Sequence, residues 1–221
     1  MTINSAASGR RSTPLPAGLG GRPLRTVRPQ DAGDVYPYPG PEFARLAARG
    51  VLHRAANGYY VVVPQEHLGR PWLPNLEATA AGIASSIYGP ANAIIMGVSA
   101  ARVLGAIPRA LAAVIITVPE QHRPIRLVDR AAVVRFVKRN GDPLDVERVE
   151  TPLGPALVTT VEQTILDLAH RPALGHAEPD IPAAIISLYP RSDQRRLAEL
   201  ATGQGRMAAL RRAQAWAGAA R

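Results

Sequence analysis

The segment "GVSAA" (Gly97–Ala101) comes nearest to a catalytic motif, because a serine between glycines can sit on the strained elbow of a hydrolase. Ala101 stands where the second glycine belongs. A serine ahead of small residues also suits a helix start, so Ser99 is expected to cap a helix rather than act as a nucleophile. The five histidines, at 53, 67, 122, 170 and 176, show no His-x-x-x-His pair or other ligand spacing, so no metal site is expected. The chain contains no cysteine, which excludes disulfides, thiolate zinc sites and cysteine nucleophiles. Neither Gly-x-x-x-x-Gly-Lys-Ser/Thr nor Gly-x-Gly-x-x-Gly occurs, so a phosphate cradle of either kind is missing. One class of metal-dependent nuclease places a carboxylate two residues before a lysine; Phe136 occupies that place before Lys138, the single lysine. Asp142, Asp145, Glu147 and Glu150 cluster in a turn and an alternating strand, where solvated acids are common. The expectation is a protein that is not an enzyme and has no cofactor.

Charge points toward recognition instead. The formal net charge is +9, with 26 basic against 17 acidic residues. Every basic residue except Lys138 is arginine. Residues 1–74 carry nine arginines against four acids, residues 75–190 ten basic against eleven acidic, and residues 191–221 seven against two. The excess therefore lies at the two ends. Two readings fit: basic ends that serve solubility, or an anion-binding N-terminal module with a basic C-terminal helix.

The N-terminal half of that choice has a distinct pattern. "PEFARLAARG" (Pro41–Gly50) reads as a short helix, with Pro41 in its first turn and Gly50 at its C′ position. Phe43, Leu46 and Ala47 share its inner face, leaving Glu42, Arg45, Ala48 and Arg49 outside. "VLHRAANGYYVVVP" then reads as a hairpin, with "VLHR" and "YYVVV" as strands and Asn57-Gly58 as the turn. A helix with outward arginines leading into a polar-tipped ribbon is the second half of a winged helix-turn-helix. The helix would enter a major groove and the ribbon would touch flanking backbone. Arg45 and Arg49, four residues apart, would reach base edges or phosphates, since a guanidinium spans guanine O6 and N7. His53, Arg54 and Asn57 on the ribbon would hold phosphate. Upstream, "LRTVRPQDAGDVYPYPG" opens a short helix at Pro29 that the prolines at 37 and 39 end; Arg25 and Arg28 there complete the DNA-binding set.

With those residues in view, "FARLAARGVLHRAANGYYVVVP" resembles the winged-helix segment of the AbiEi-type antitoxins. "GVSAARVLGAIPRA" (Gly97–Ala110) and "VTTVEQTILDLAHRP" (Val158–Pro172) resemble further blocks of that family, in its order and spacing. The resemblance spans about residues 40–172 and implies an antitoxin that represses its own promoter and counteracts a nucleotidyltransferase-like toxin, directly or functionally. The upstream segment departs from the family pattern, its first helix being interrupted by prolines. A regulator of DNA without a toxin partner is the alternative. An RNA binder fits less well, because single strands are held by stacking and the ribbon offers one outward tyrosine at most.

The remaining elements must carry that module. Asn75 is expected to cap a small-residue helix over 75–88, and "AAVIITVP" and "AAVVRFVKR" read as strands. "DVERVETPLGPALVTT" reads as two strands around a Leu153-Gly154 turn, and Thr160 with Gln163 as a capping box. "IPAAIISLY", "SDQRRLAELA" and "RMAALRRAQAWAGAA" are amphipathic helices. The last two are expected to pack through Leu197, Leu200, Met207, Leu210 and Trp216 with arginines outside. The expected class is α+β. A mobile basic tail (1–23) precedes a winged helix (24–70), and a mixed α/β antitoxin domain ending in helices follows (75–221). No apolar run reaches membrane-spanning length and no signal peptide is visible, so a cytoplasmic protein is expected, with promoter DNA and a toxin as partners.

Overall fold

The structure, a computed structural model, describes residues 17–139 and 144–219. Most of the expected tail, and Asp142, lie outside these. Residues 17–23 of that tail are described: Ala17–Gly20 form a helical turn, α1, and Leu19 is buried.

Strand β1 (Thr26–Val27) is followed by a 3-10 turn at Pro29–Asp31 and then by α2 (Pro39–Ala48). Pro39 opens α2 rather than ending an earlier helix, and Pro41 is the third helical residue, still within the first turn. A proline in the first turn removes only an N–H that has no helical partner and presets φ. The C-terminal end follows expectation. Gly50 takes φ +71°, its N–H donates to Ala47 O, and the Val51 N–H donates to Leu46 O. That is a Schellman closure, and it turns the chain into the next strand.

Strands β2 (Leu52–Ala56) and β3 (Tyr59–Val62) form the hairpin, and β1 pairs on the far side of β3, giving an antiparallel order β1-β3-β2. This small sheet is covered on both faces. Val27, Leu52, Tyr60 and Val62 pack with Phe43 and Leu46 of α2. Leu24, Ala55, Ala56 and Val61 pack the other way, into the core of the remaining chain, with Tyr59 half-buried against it. The period-2 alternation of a strand sends successive side chains to opposite faces, so an unbroken apolar run is what a doubly covered strand requires.

The larger core is built on α3 (Leu76–Tyr88), β4 (Ile94–Ile95), α4 (Gly97–Val103), β5 (Ala113–Val118), β6 (Ile125–Arg126), β7 (Val133–Lys138), β8 (Val146–Thr151) and β9 (Gly154–Thr159). Four helices follow: α5 (Val161–His170), α6 (Ile181–Leu188), α7 (Gln194–Gly203) and α8 (Met207–Gly218). The six strands form one mixed sheet in the order β6-β7-β5-β4-β9-β8, with β5·β7 and β4·β9 parallel. Val114, Ile116 and Val118 of β5 face α3, whereas Ile115 faces α4 and the C-terminal helices. The chain is thus a mixed α+β protein. Among the described residues no helix is long and apolar enough to cross a membrane.

Three local expectations change. Ser99 lies inside α4, whose cap position is Met96; its Oγ accepts the Ile115 N–H at 2.9 Å and continues the pairing that the two-residue strand β4 leaves short. The β8–β9 turn is Pro152-Leu153, and Gly154 already pairs with Thr151. Thr160 caps α5 by accepting the Gln163 N–H at 3.3 Å, but the Gln163 side chain does not return the bond. It turns instead to Asp167 at 3.1 Å and to Gln204. Asn75 caps α3 as expected, accepting from Ala78 N at 2.9 Å.

Gly82 marks where the small sheet is pressed on α3: a β-carbon there would lie 2.0 Å from Thr26 Oγ1 and 2.9 Å from its Cβ. Gly82→Ala is therefore expected to lower stability by about 1–3 kcal/mol through overpacking, despite the better helix propensity of alanine. Denaturant melts would check this, and an unchanged or raised midpoint would contradict the tight approach. Ser99→Ala, which leaves the buried Ile115 N–H without its acceptor, is expected to cost about 1–3 kcal/mol in the same assay.

Candidate functional site

Helix α2 presents Ala44, Arg45, Ala48 and Arg49 to solvent while Phe43 and Leu46 are buried. Arg45 pairs with Glu42 one turn back, its Nη2 2.7 Å and its Nε 3.0 Å from Oε2. An exposed pair of this kind is worth about 0–1 kcal/mol, so Arg45 gives up little on turning to another anion. Arg49 stands exposed at the last position before Gly50.

The hairpin tip is the second polar element. Arg54 donates from Nη2 to Asn57 Oδ1 at 2.8 Å, and both residues are exposed. Gly58 adopts φ +79° whereas Asn57 keeps a negative φ, so glycine alone supplies the left-handed corner. The ladder shifts register between Arg54 and Ala56. That bulge bends the strand and raises its twist just before the tip. The structure therefore places Arg45 and Arg49 on one exposed helix face, and Arg54 and Asn57 on the hairpin that follows it.

The other three candidates sit differently. His53 is turned onto the body of the protein, away from the exposed side taken by Arg54. Its Nε2 lies 2.7 Å from Asp129 Oδ2, and its ring meets Trp72 edge to face at 5.8 Å. Arg28 forms a two-point pair with Asp31, at 2.5 Å and 2.9 Å, and its side chain is only 17% exposed. Burial alone would lower the Arg28 pKa; hydrogen bonding and charge from Asp31, with Tyr59 adding to both, raise it above the ordinary arginine value. Arg25 has φ +52° and follows Leu24 at φ +49°, so two consecutive non-glycine residues are left-handed.

The contact at His53 belongs to a clamp for which the sequence offers no short-range signal. Asp129 also takes hydrogen bonds from Arg130, at 3.1 Å to Oδ1 and 2.9 Å to Oδ2, and Arg130 donates to Pro74 O at 2.8 Å. The backbone reinforces the clamp: Val128 N donates to Ala55 O at 2.9 Å, and Ala56 bridges Leu127. The hairpin residues and their partners at 127–129 lie more than seventy residues apart, beyond any spacing rule. Trp72 fills the corner, stacking on His67 at 5.6 Å.

The C-terminal helices use many of their cations internally. Arg196 is bonded to Asp145, Arg206 lies 2.6 Å from Asp167, and Arg212 donates to Ala169 O at 2.7 Å. Leu197 and Leu210 are buried and Leu200 and Trp216 partly so, as expected of a packed pair, while Met207 is 41% exposed. Among the described residues no group of three or more His, Asp or Glu side chains is placed to hold a metal ion.

No family model and no curated protein matches the chain. A solved structure does. The Rv2827c protein of Mycobacterium tuberculosis aligns with a TM-score of 0.59 over 87% of this chain and 71% of its own, at 19% identity. At that identity the likeness is one of fold. It takes in most of the chain rather than the hairpin module alone.

The clamp generates a pH prediction. Burial alone would raise the Asp129 carboxyl; hydrogen bonds and charge from Arg130 and His53 outweigh it and hold the pKa below the ordinary carboxylate value. A carboxyl lowered on folding stabilises the fold above its unfolded pKa of about 4, and that contribution is lost as pH falls through the folded value. Asp129→Asn is thus expected to be less stable than wild type near neutrality, with the gap closing in acid. Thermal melts across pH would show this, and a gap independent of pH would contradict it.

Proposed function

We propose that this chain is the antitoxin of a toxin–antitoxin system, and that it binds promoter DNA through a winged helix-turn-helix and represses its own operon. One observation carries the DNA half of the reading. Exposed Arg45 and Arg49 occupy the outer face of a short helix that closes on Gly50 and leads straight into a hairpin tipped by Arg54 and Asn57. The order β1-β3-β2, with α2 packed on one face of the sheet, supports the same reading because it holds the helix and ribbon as one module. In it α2 is the recognition helix and the hairpin is the wing. The 3-10 turn at Pro29–Asp31 stands where the first helix of the motif would lie. The antitoxin half rests on the resemblance of the blocks at 97–110 and 158–172 to AbiEi-type antitoxins, and the opposed toxin would be a nucleotidyltransferase-like enzyme. The reading needs no catalysis and no cofactor from this chain.

Within this reading the arginines divide by role. Arg45 and Arg49 face the groove. Arg54 and Asn57 meet the flanking backbone. Arg28 is a positioning residue that fixes the turn ahead of α2, Arg25 lies beside it, and His53 fastens the wing to the body instead of touching phosphate.

The test is binding of the full chain to the DNA upstream of its own gene, with random duplex as competitor. Arg45→Ala is expected to lose about 1–3 kcal/mol on the cognate site and to relax preference at one base position. Arg54→Ala should weaken every duplex alike and reduce the salt slope by about one, whereas His53→Ala should leave that slope unchanged. Equal, sequence-independent losses for Arg45 and Arg54 would sink the recognition-helix assignment. Co-expression with the neighbouring toxin tests the other half: growth that the chain does not rescue contradicts an antitoxin.

A further inference from the structure

A cavity of about 350 Å³ lies between the small sheet and α3. Its walls are β1 and the flanking turns on one side and the last turns of α3 on the other. Arg22, Thr26, Arg28, Asp31, Ser85 and Ser86 supply its polar lining, with Leu19 and Val27 as the apolar part. Its volume falls in the range of small-molecule sites, and such sites favour the seam between two packed units.

Three features of the lining bear on what it would take. Asp31, its single carboxylate, is already engaged by Nε and Nη2 of Arg28. Arg22 rests only on the Asp31 main-chain carbonyl, at 3.1 Å, and forms no carboxylate pair among the described residues. The Ser86 hydroxyl already donates to Ile83 O at 2.7 Å, so the lining keeps one uncompensated positive charge beside the Ser85 hydroxyl. The backbone at the edge of the cavity is also strained. Leu24 and Arg25, next to Pro23 in the wall, are consecutive left-handed residues, a conformation disfavoured for residues with a β-carbon. Backbone outliers of this kind persist where surrounding structure enforces them, and they cluster at ligand clamps and switch regions.

We propose that this cavity is a binding site for a small anion from solution, a carboxylate or phosphate of metabolite size, held by Arg22 with the hydroxyl of Ser85. The occupant would bridge the small sheet and α3 at the point where Thr26 is pressed on Gly82. Its consequence for DNA rests on the function proposed above: an occupant that differs in affinity for two placements of the sheet on the body shifts the balance between them, and with it the presentation of α2.

The experiment titrates the isotope-labelled full chain with inorganic phosphate, at ionic strength held constant with chloride, and follows backbone amide shifts. Saturable shifts confined to residues 22–31 and 85–86 are expected. Arg22→Ala and Ser85→Ala should each weaken them, the former by about tenfold, the weight of one charge-assisted contact. Arg195→Ala, an exposed arginine on α7, should change nothing. Shifts that fail to saturate, that spread over the exposed arginines, or that survive Arg22→Ala overturn the site. A second arm repeats the titration with cognate duplex bound. The same shifts with duplex retained, and a duplex affinity that reaches a new plateau, support a solution anion. Simple displacement of phosphate by duplex would make the DNA backbone the occupant and overturn the proposal. Failure of any duplex to bind would instead count against the DNA reading, while the first arm still decides the anion site.

Discussion

Strand β3 has to be covered on both faces, and much else in the N-terminal half depends on how that is done. Tyr60 and Val62 need α2, and Val61 needs the core under α3. Helix α2 has ten residues, too few to persist alone in water, so it stands because Phe43 and Leu46 are buried on that sheet. The edge-to-face contact of Phe43 with Tyr60, at a centroid distance of 5.3 Å, joins helix to strand at the centre of this packing. The sheet in turn stays against the body because Gly82 lets Thr26 approach and because Asp129 holds His53. The outward arginines of α2 are thereby carried on a packed helix rather than on a loop, as the proposed DNA contact requires.

The same economy of contacts sorts the cations. Those of the body tend to be spent on its own structure: Arg102 on buried Glu77, Arg130 on Asp129, and Arg139 and Arg206 on Asp167. A buried charge left without its partner is costly, so these arginines are poorly suited to leave for a ligand. Arg45 and Arg54 have only exposed, local partners, one a glutamate a turn away and the other an asparagine across the hairpin tip. The chain's net positive charge is therefore available to an outside anion at its N-terminal module more readily than its even count of arginines would suggest.

Where local rules govern, the sequence was readable. Gly50 ending α2, Asn57-Gly58 turning the hairpin and Asn75 capping α3 follow from residue chemistry within a few positions. The run of Tyr and Val reads as a strand, but not as one that two different partners share. Contacts set by tertiary packing were not legible. Ser99 looks like a cap because its immediate neighbours are helical, yet its oxygen serves Ile115 on another element. His53 looks like a phosphate ligand on a basic ribbon, because its partner Asp129 comes from a distant strand end. Arg28 reads as a free cation until Asp31, three residues on, folds back in the 3-10 turn. The polar cavity at the seam had no sequence signal, since its walls come from two stretches more than fifty residues apart.

The central claim is that α2 and the hairpin tip, rather than the basic C-terminal helices, form the face that meets duplex DNA. Adding the upstream duplex to the isotope-labelled full chain and mapping amide and arginine side-chain shifts tests it most directly. The account predicts that the largest changes fall on Arg45, Arg49, Arg54 and Asn57, with His53 and Asp129 still paired. Changes centred on Arg195 and Arg211, with α2 and the hairpin silent, would contradict it.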